Sequence, residues 1–115
     1  MVQTRDQKFA NAAIEQIKAV EADQKDYRTT ALSFPVLLLQ SGLAQAIGFL
    51  TAKKKTVYLG DLEAVLQKAG VLPAGNDVLQ QRAVSCSLAE YQRLTRETLA
   101  AAGWLKRFVQ AEFKD

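Results

Sequence analysis

From Thr29 to Ala52 the chain carries no charged side chain, and any fold of this sequence must house that stretch. A membrane is one dry place for it, but the segment holds Pro35, Gln40, Ser41 and Gln45 together with Gly42 and Gly48. Its longest unbroken apolar run falls far short of the roughly 20 residues that cross a bilayer, and no signal-peptide layout precedes it. The expectation is instead an uncharged helix, buried on most sides, at the centre of a small helical protein. Ser33-Phe34-Pro35 reads as its start, because serine caps an N-terminus and proline in the first turn forfeits no hydrogen bond. The helix then runs from about Pro35 to Thr51. Gly42 and Gly48 each cost about 1 kcal/mol of helix propensity, so neighbouring helices are expected to approach closely there. Gln45 is expected half-buried and hydrogen-bonded.

Amphipathic patterns flank this segment. Thr4 and Gln7 form a capping-box pair, after which Phe9, Ala13, Ile17 and Val20 recur at helical spacing, with Ala10 and Ile14 widening the face. The charge-dense residues Glu21 to Tyr27 end that helix, and the residues from Tyr27 to Leu32 are compatible with a short helical turn. Beyond Lys53-Lys54-Lys55, Val57 to Gly60 reads as a brief connection and Asp61 as the cap of a short helix carrying Leu62, Val65 and Leu66 and ending at Gly70. The stretch from Gly70 through Pro73 and Gly75 to Asn76 is the clearest break, too short to separate domains, so residues 1–115 read as one domain. A short helix from Asp77 to Ser85 leads to a long last one, capped by Ser87 with Glu90. The fold class that follows is all-α, a compact orthogonal bundle of about five or six helices.

Composition removes most catalytic chemistries. The chain has no histidine, and with it go the usual general base and the commonest zinc ligand. Cys86 is the single cysteine, which permits no internal disulfide or multi-cysteine metal site and fits a reducing cytoplasm. Asp61, Glu63, Glu90, Glu97 and Glu112 fall where solvated helix faces carry acids, without the clustering that a metal-dependent nuclease needs. No cofactor or small-molecule motif is present. Residues 1–58 hold eight Lys/Arg against five Asp/Glu, whereas 59–115 hold seven of each. The net charge of +3 permits a polyanionic partner.

Two features locate such a partner. On a wheel of residues 88–114, Leu88, Tyr91, Leu94, Thr95, Thr98, Leu99, Ala102, Leu105, Val109 and Phe113 gather on the core side. Opposite and flanking them, Gln92, Arg93, Arg96, Ala100, Gly103, Arg107, Gln110 and Lys114 form a strip without a carboxylate. Arg93, Arg96, Arg107 and Lys114 are therefore candidate contacts to the phosphates of a polyanion, as are Lys53, Lys54 and Lys55, although cations at a helix C-terminus are also favoured simply by its dipole. Trp104 and Phe108 lie between strip and core. They either complete the core or offer an aromatic edge for a partner subunit or a stacked base.

Gly42-Leu43-Ala44-Gln45-Ala46 with Phe49-Leu50, then Tyr58, then Tyr91 with Thr95 and Glu97, then Trp104-Leu105-Lys106-Arg107-Phe108 together resemble the small subunit of the Cmr-type (type III-B) CRISPR RNA-guided effector complex. The resemblance runs from Tyr27 to Phe113; Phe34 before Pro35 departs from it where an aliphatic residue is expected. It implies a non-catalytic, cofactor-free protein of antiviral defence whose copies stack along the complex. Its implied partners are other Cmr subunits, further copies of itself, guide RNA and target RNA. Two other classes compete. A helix-turn-helix regulator would have to read bases with Gln80, Gln81 and Arg82 alone, and a small ribonuclease would have to rely on Lys, Arg and a carboxylate.

Overall fold

The computed structural model describes residues 3–21 and 23–113. Six helices follow one another: α1 (Arg5–Lys18), α2 (Gln24–Ser41), α3 (Leu43–Ala52), α4 (Thr56–Lys68), α5 (Val78–Ser85) and α6 (Leu88–Glu112). No strand occurs among the described residues, and the all-α expectation holds. The capping box at Thr4 and Gln7 is complete, and Phe9, Ala13 and Ile17 are buried as the pattern required. The long α6 forms the spine, with α1, α2 and α4 laid against it. The radius of gyration of 13.2 Å is that of one compact unit of this length, about 13 Å.

The uncharged stretch is not one helix. Asp23 caps α2 by accepting from the Asp26 N–H, and the helix runs straight through Ser33 and Pro35, which sit in its interior. Proline there removes one backbone donor. Buried Tyr27, Ala31, Phe34 and Leu38 nevertheless keep an unbroken i, i+4, i+7, i+11 stripe across it, and packing along that stripe outweighs the local stop signal.

The break comes at Gly42, with φ +82° and ψ 165°, a conformation that is essentially glycine's alone. Here the close approach expected from sequence exists. A Cβ on Gly42 would lie 3.4 Å from the Tyr91 hydroxyl, and that hydroxyl accepts from the Ala44 N–H at 3.1 Å. A side chain of α6 thus caps α3, which has no cap of its own.

At Gly48 the expectation fails, since nothing lies within 4 Å of where its Cβ would be. Gln45 is exposed, and so are Val36, Leu39 and Phe49, with Leu39 at 70%. The segment is uncharged without being wholly buried.

Helix α4 starts at Thr56, so Val57 to Gly60 are its first turns and not a connection. Buried Tyr58, Leu59, Leu62, Val65 and Leu66 form the stripe that extends it backwards past Asp61. It ends as expected at Gly70, where the Val71 and Gly70 N–H groups return to Leu66 and Gln67 carbonyls, the paired bonds of a Schellman motif. Helix α5 also lacks a local cap. The Glu63 carboxylate accepts from the Leu79 N–H at 2.8 Å and supplies one from α4.

On α6 the core side is largely as the wheel places it, with two corrections. Leu88 is 72% exposed, because α6 opens beyond the edge of the bundle. Glu97 is only 7% exposed, drawn in by an ion pair with Arg5 of α1.

Candidate nucleic-acid interface

The outer side of α6 carries Arg93, Arg96 and Arg107, all exposed. At 100° per residue the three fall within about 60° of one another, and Arg96 and Arg107 lie about 16 Å apart along the axis. None of them makes an ion pair among the described residues. Between Arg96 and Arg107 the same side holds Ala100 and Gly103, and no atom lies within 4 Å of where a Cβ on Gly103 would stand. Arg93 differs from the other two, since it shares a small hollow with Glu90 and Arg82. Lys114 lies outside the described residues.

Trp104 and Phe108 are half-buried and packed against the core. Their rings stack at 6.0 Å and 25°, and the Arg107 guanidinium sits over the Trp104 ring at 4.7 Å. Through Arg107 the strip makes contact with the aromatic pair.

The lysine run is divided by the turn between α3 and α4. The Lys54 N–H returns to Thr51 O and the Lys55 N–H to Leu50 O, again a Schellman pattern. Lys54, at φ +59°, occupies the left-handed position where glycine is favoured. Lys55 is paired with Asp26 of α2, and Lys53 lies 5.7 Å from the Phe49 ring centroid. Lys54 alone projects without such a contact among the described residues. Arg28, two residues beyond Asp26, donates to the Phe113 carbonyl at 2.9 Å, so the lysine turn and the end of α6 adjoin the same end of α2.

Two sites escaped the sequence reading. Asp61 is no solvated helix-face acid: it accepts from the Tyr27 hydroxyl and the Gln16 amide, each at 2.7 Å. Burial pushes its carboxyl above the ordinary range, partly opposed by those two hydrogen bonds and by Lys68. Burial first, and Asp61 second, keeps the Tyr27 and Tyr58 phenols protonated. Nothing in the sequence links residues so far apart. The second site is an open cleft of about 420 Å³ between α3 and α5, lined by Ala44, Ile47, Gly48, Thr51, Ala83 and Val84 among others, with no charged side chain on its walls.

Among the described residues no group of three or more His, Cys, Asp or Glu is placed to hold a metal, and no helix is long and apolar enough to cross a membrane. In α5 the arginine available to a base-reading helix, Arg82, is turned to Glu90 at 3.8 Å.

Over residues 5–112 the sequence matches the family of CRISPR-associated proteins designated Cas_Cmr5. The chain belongs to the Cmr5 family. It is 40% identical to the CRISPR system Cmr subunit Cmr5 of Thermus thermophilus over 115 residues, 96% of either chain. The crystal structure of a CRISPR-associated Cmr5 family protein from the same organism superposes with a TM-score of 0.85 at 37% identity, covering 97% of this chain and all of that one. The resemblance read from sequence therefore leads to the right family. In this chain three of the residues behind it have structural roles: Gly42 and Tyr91 build the start of α3, and Trp104 carries Arg107.

Proposed function

We propose that this Cmr5-family chain is the small, non-catalytic subunit of a Cmr-type (type III-B) CRISPR effector complex in the cytoplasm. Its copies stack along the guide and help line the groove taken by target RNA. The observation that carries the reading is the 40% identity, end to end, to a protein described as a Cmr subunit. Arg96 and Arg107, exposed and without an ion-pair partner among the described residues, support the RNA contact. Lys54 supports it too, a cation kept at a left-handed position that would be relieved by glycine. Contacts of this type go to phosphates and position a strand without reading it, which suits a complex that leaves sequence to base pairing. Stacking head to tail requires two different surfaces, and the charge-free α3–α5 cleft is the one we assign to the neighbouring copy.

The test is reconstitution. A tagged chain is expected to co-purify from its host with several Cmr subunits and a short guide RNA. In the assembled complex Arg96→Ala should flatten the dependence of log affinity for target RNA on log salt by about 0.7, the contribution of one phosphate on a single strand. A complex that forms without the chain and binds target RNA with unchanged affinity and salt slope would refute the reading.

A further inference from the structure

We propose that Arg107, held on the Trp104 ring, is a seat on which one unpaired nucleobase of a single-stranded RNA stacks. This rests on the RNA-lining role above and names what that surface recognises. A lone exposed arginine samples many rotamers and binds a phosphate as a loose charge. Arg107 is different, because its guanidinium lies 4.7 Å from the centroid of an indole that is itself stacked on Phe108 and anchored against the core. The indole therefore backs the guanidinium on one side. The residue is exposed, so solvent reaches the guanidinium away from the indole, and a second flat ring can dock there.

The neighbourhood fits such an occupant. Gly103 precedes the stack by one residue and offers open space where any other residue would place a Cβ. Ala100 lies a turn further back. The floor between Arg107 and Arg96 is therefore low enough for a strand to lie along α6, with Arg96 about 16 Å away to take a second phosphate.

A protein surface is the poorer occupant. Covering Arg107 with apolar side chains would desolvate a guanidinium that has no carboxylate partner among the described residues, which is unfavourable. RNA supplies the flat ring and the anion together. Because every base has a π-face, the contact is tolerant of sequence.

Trp104 is the only tryptophan in the chain, so its fluorescence reports on this stack directly. The purified chain is titrated at low salt with single-stranded oligo(A), with oligo(U), and with inorganic polyphosphate as a base-free polyanion. Both oligonucleotides should change the Trp104 emission at saturation, oligo(A) more strongly, and polyphosphate should bind without that change. Arg107→Lys keeps the charge and removes the plane. It should abolish the emission change and weaken oligo(A) binding roughly ten-fold, the scale of one stacked base, while leaving the salt slope near its wild-type value. Arg96→Ala should lower the slope and keep the emission change.

If Arg107→Lys matches wild type while Arg96→Ala is weakened, stacking is wrong and the phosphate contact stands. If neither substitution matters, or if no emission change occurs at millimolar strand, the stacking seat is overturned, and unchanged RNA binding by the assembled complex would then remove the lining role as well. If Arg107→Lys instead blocks assembly with other subunits, the stack is a protein contact.

Discussion

The hydroxyl of Tyr91 is expected to hold the start of α3, and Tyr91→Phe isolates it. The substitution keeps the ring and removes one acceptor, leaving the Ala44 N–H, now bonded at 3.1 Å, without a partner at a helix end that has no cap of its own. Loss of an N-cap costs about 0.5–2 kcal/mol, and the half-buried setting of Tyr91 favours the middle of that range, about 1–1.5 kcal/mol. With an unfolding entropy on the order of 2.1 cal/mol/K per residue, 115 residues convert this to a fall in Tm of about 4–6 °C. Urea denaturation should give a lower midpoint at an unchanged slope, and hydrogen exchange should quicken most in the first two turns of α3.

Tyr58→Phe is the internal control. The Tyr58 hydroxyl is fully buried with no hydrogen-bond partner among the described residues, so removing it should be neutral or stabilising. The same chemical change is thus expected to act with different sign at two sites of one protein. Equal midpoints for Tyr91→Phe and wild type, with unchanged exchange in α3, would refute the capping role.

Three further outcomes are expected. Gly48→Ala should stabilise by about 1 kcal/mol, because the added methyl meets no atom within 4 Å; a loss of stability in thermal melts would mean that the site is closed. Lys54→Gly should stabilise by about 1 kcal/mol by relieving a left-handed lysine, read from urea midpoints, while weakening RNA binding by the assembled complex. Asp61 has its carboxyl raised by burial, so the folded chain keeps that proton to higher pH than the unfolded chain does. Stability from this group therefore grows as pH falls from the raised value towards the ordinary one near 4. The difference in unfolding free energy between wild type and Asp61→Asn should shift in favour of wild type over that window, and a difference independent of pH would contradict the assignment.

What could be read from the sequence follows from the range of the interactions involved. Helix ends closed by a neighbour in sequence were legible: the starts of α1 at Thr4 with Gln7 and of α6 at Ser87, and the Gly70 stop of α4. Helices capped from elsewhere were not. The start of α3 depends on Tyr91, which is 47 residues away, and that of α5 on Glu63, which is 16 residues away. The misplaced starts of α2 and α4 have another cause. Pro35 and Gly60 are local breakers, but each lies in a helix whose buried stripe continues past it, and burying several large side chains outweighs a propensity cost of about 1–3 kcal/mol. The candidate strip on α6 was legible because a single helix carries it and 3.6-residue geometry fixes its members. That Arg107 sits on Trp104 was not, since rotamers decide it. Nor was the ion pair that draws Glu97 inward, which needs Arg5 from the other end of the chain.

The same distinction bears on the charge-free stretch. Absence of charge is the property shared by a buried helix and by a surface that another protein covers, so composition alone cannot separate the two. The structure divides them residue by residue: Phe34, Leu38, Leu43, Ala46, Ile47 and Leu50 face the core, while Val36, Leu39 and Phe49 do not. Val84 and Leu88, exposed at the junction of α5 and α6, lie near the start of α3, because Ala83 and Val84 share the α3–α5 cleft and Tyr91, one turn beyond Leu88, caps α3. Charge is thus absent from outward as well as inward positions of this stretch of α2 and α3, and burial in the monomer explains only the inward ones. Under the proposed subunit role the outward ones are covered too, by a neighbouring copy. On the same proposal, the cations offered to RNA are carried elsewhere, on α6 and the α3–α4 turn, where a strand would reach them without competing for the protein contact.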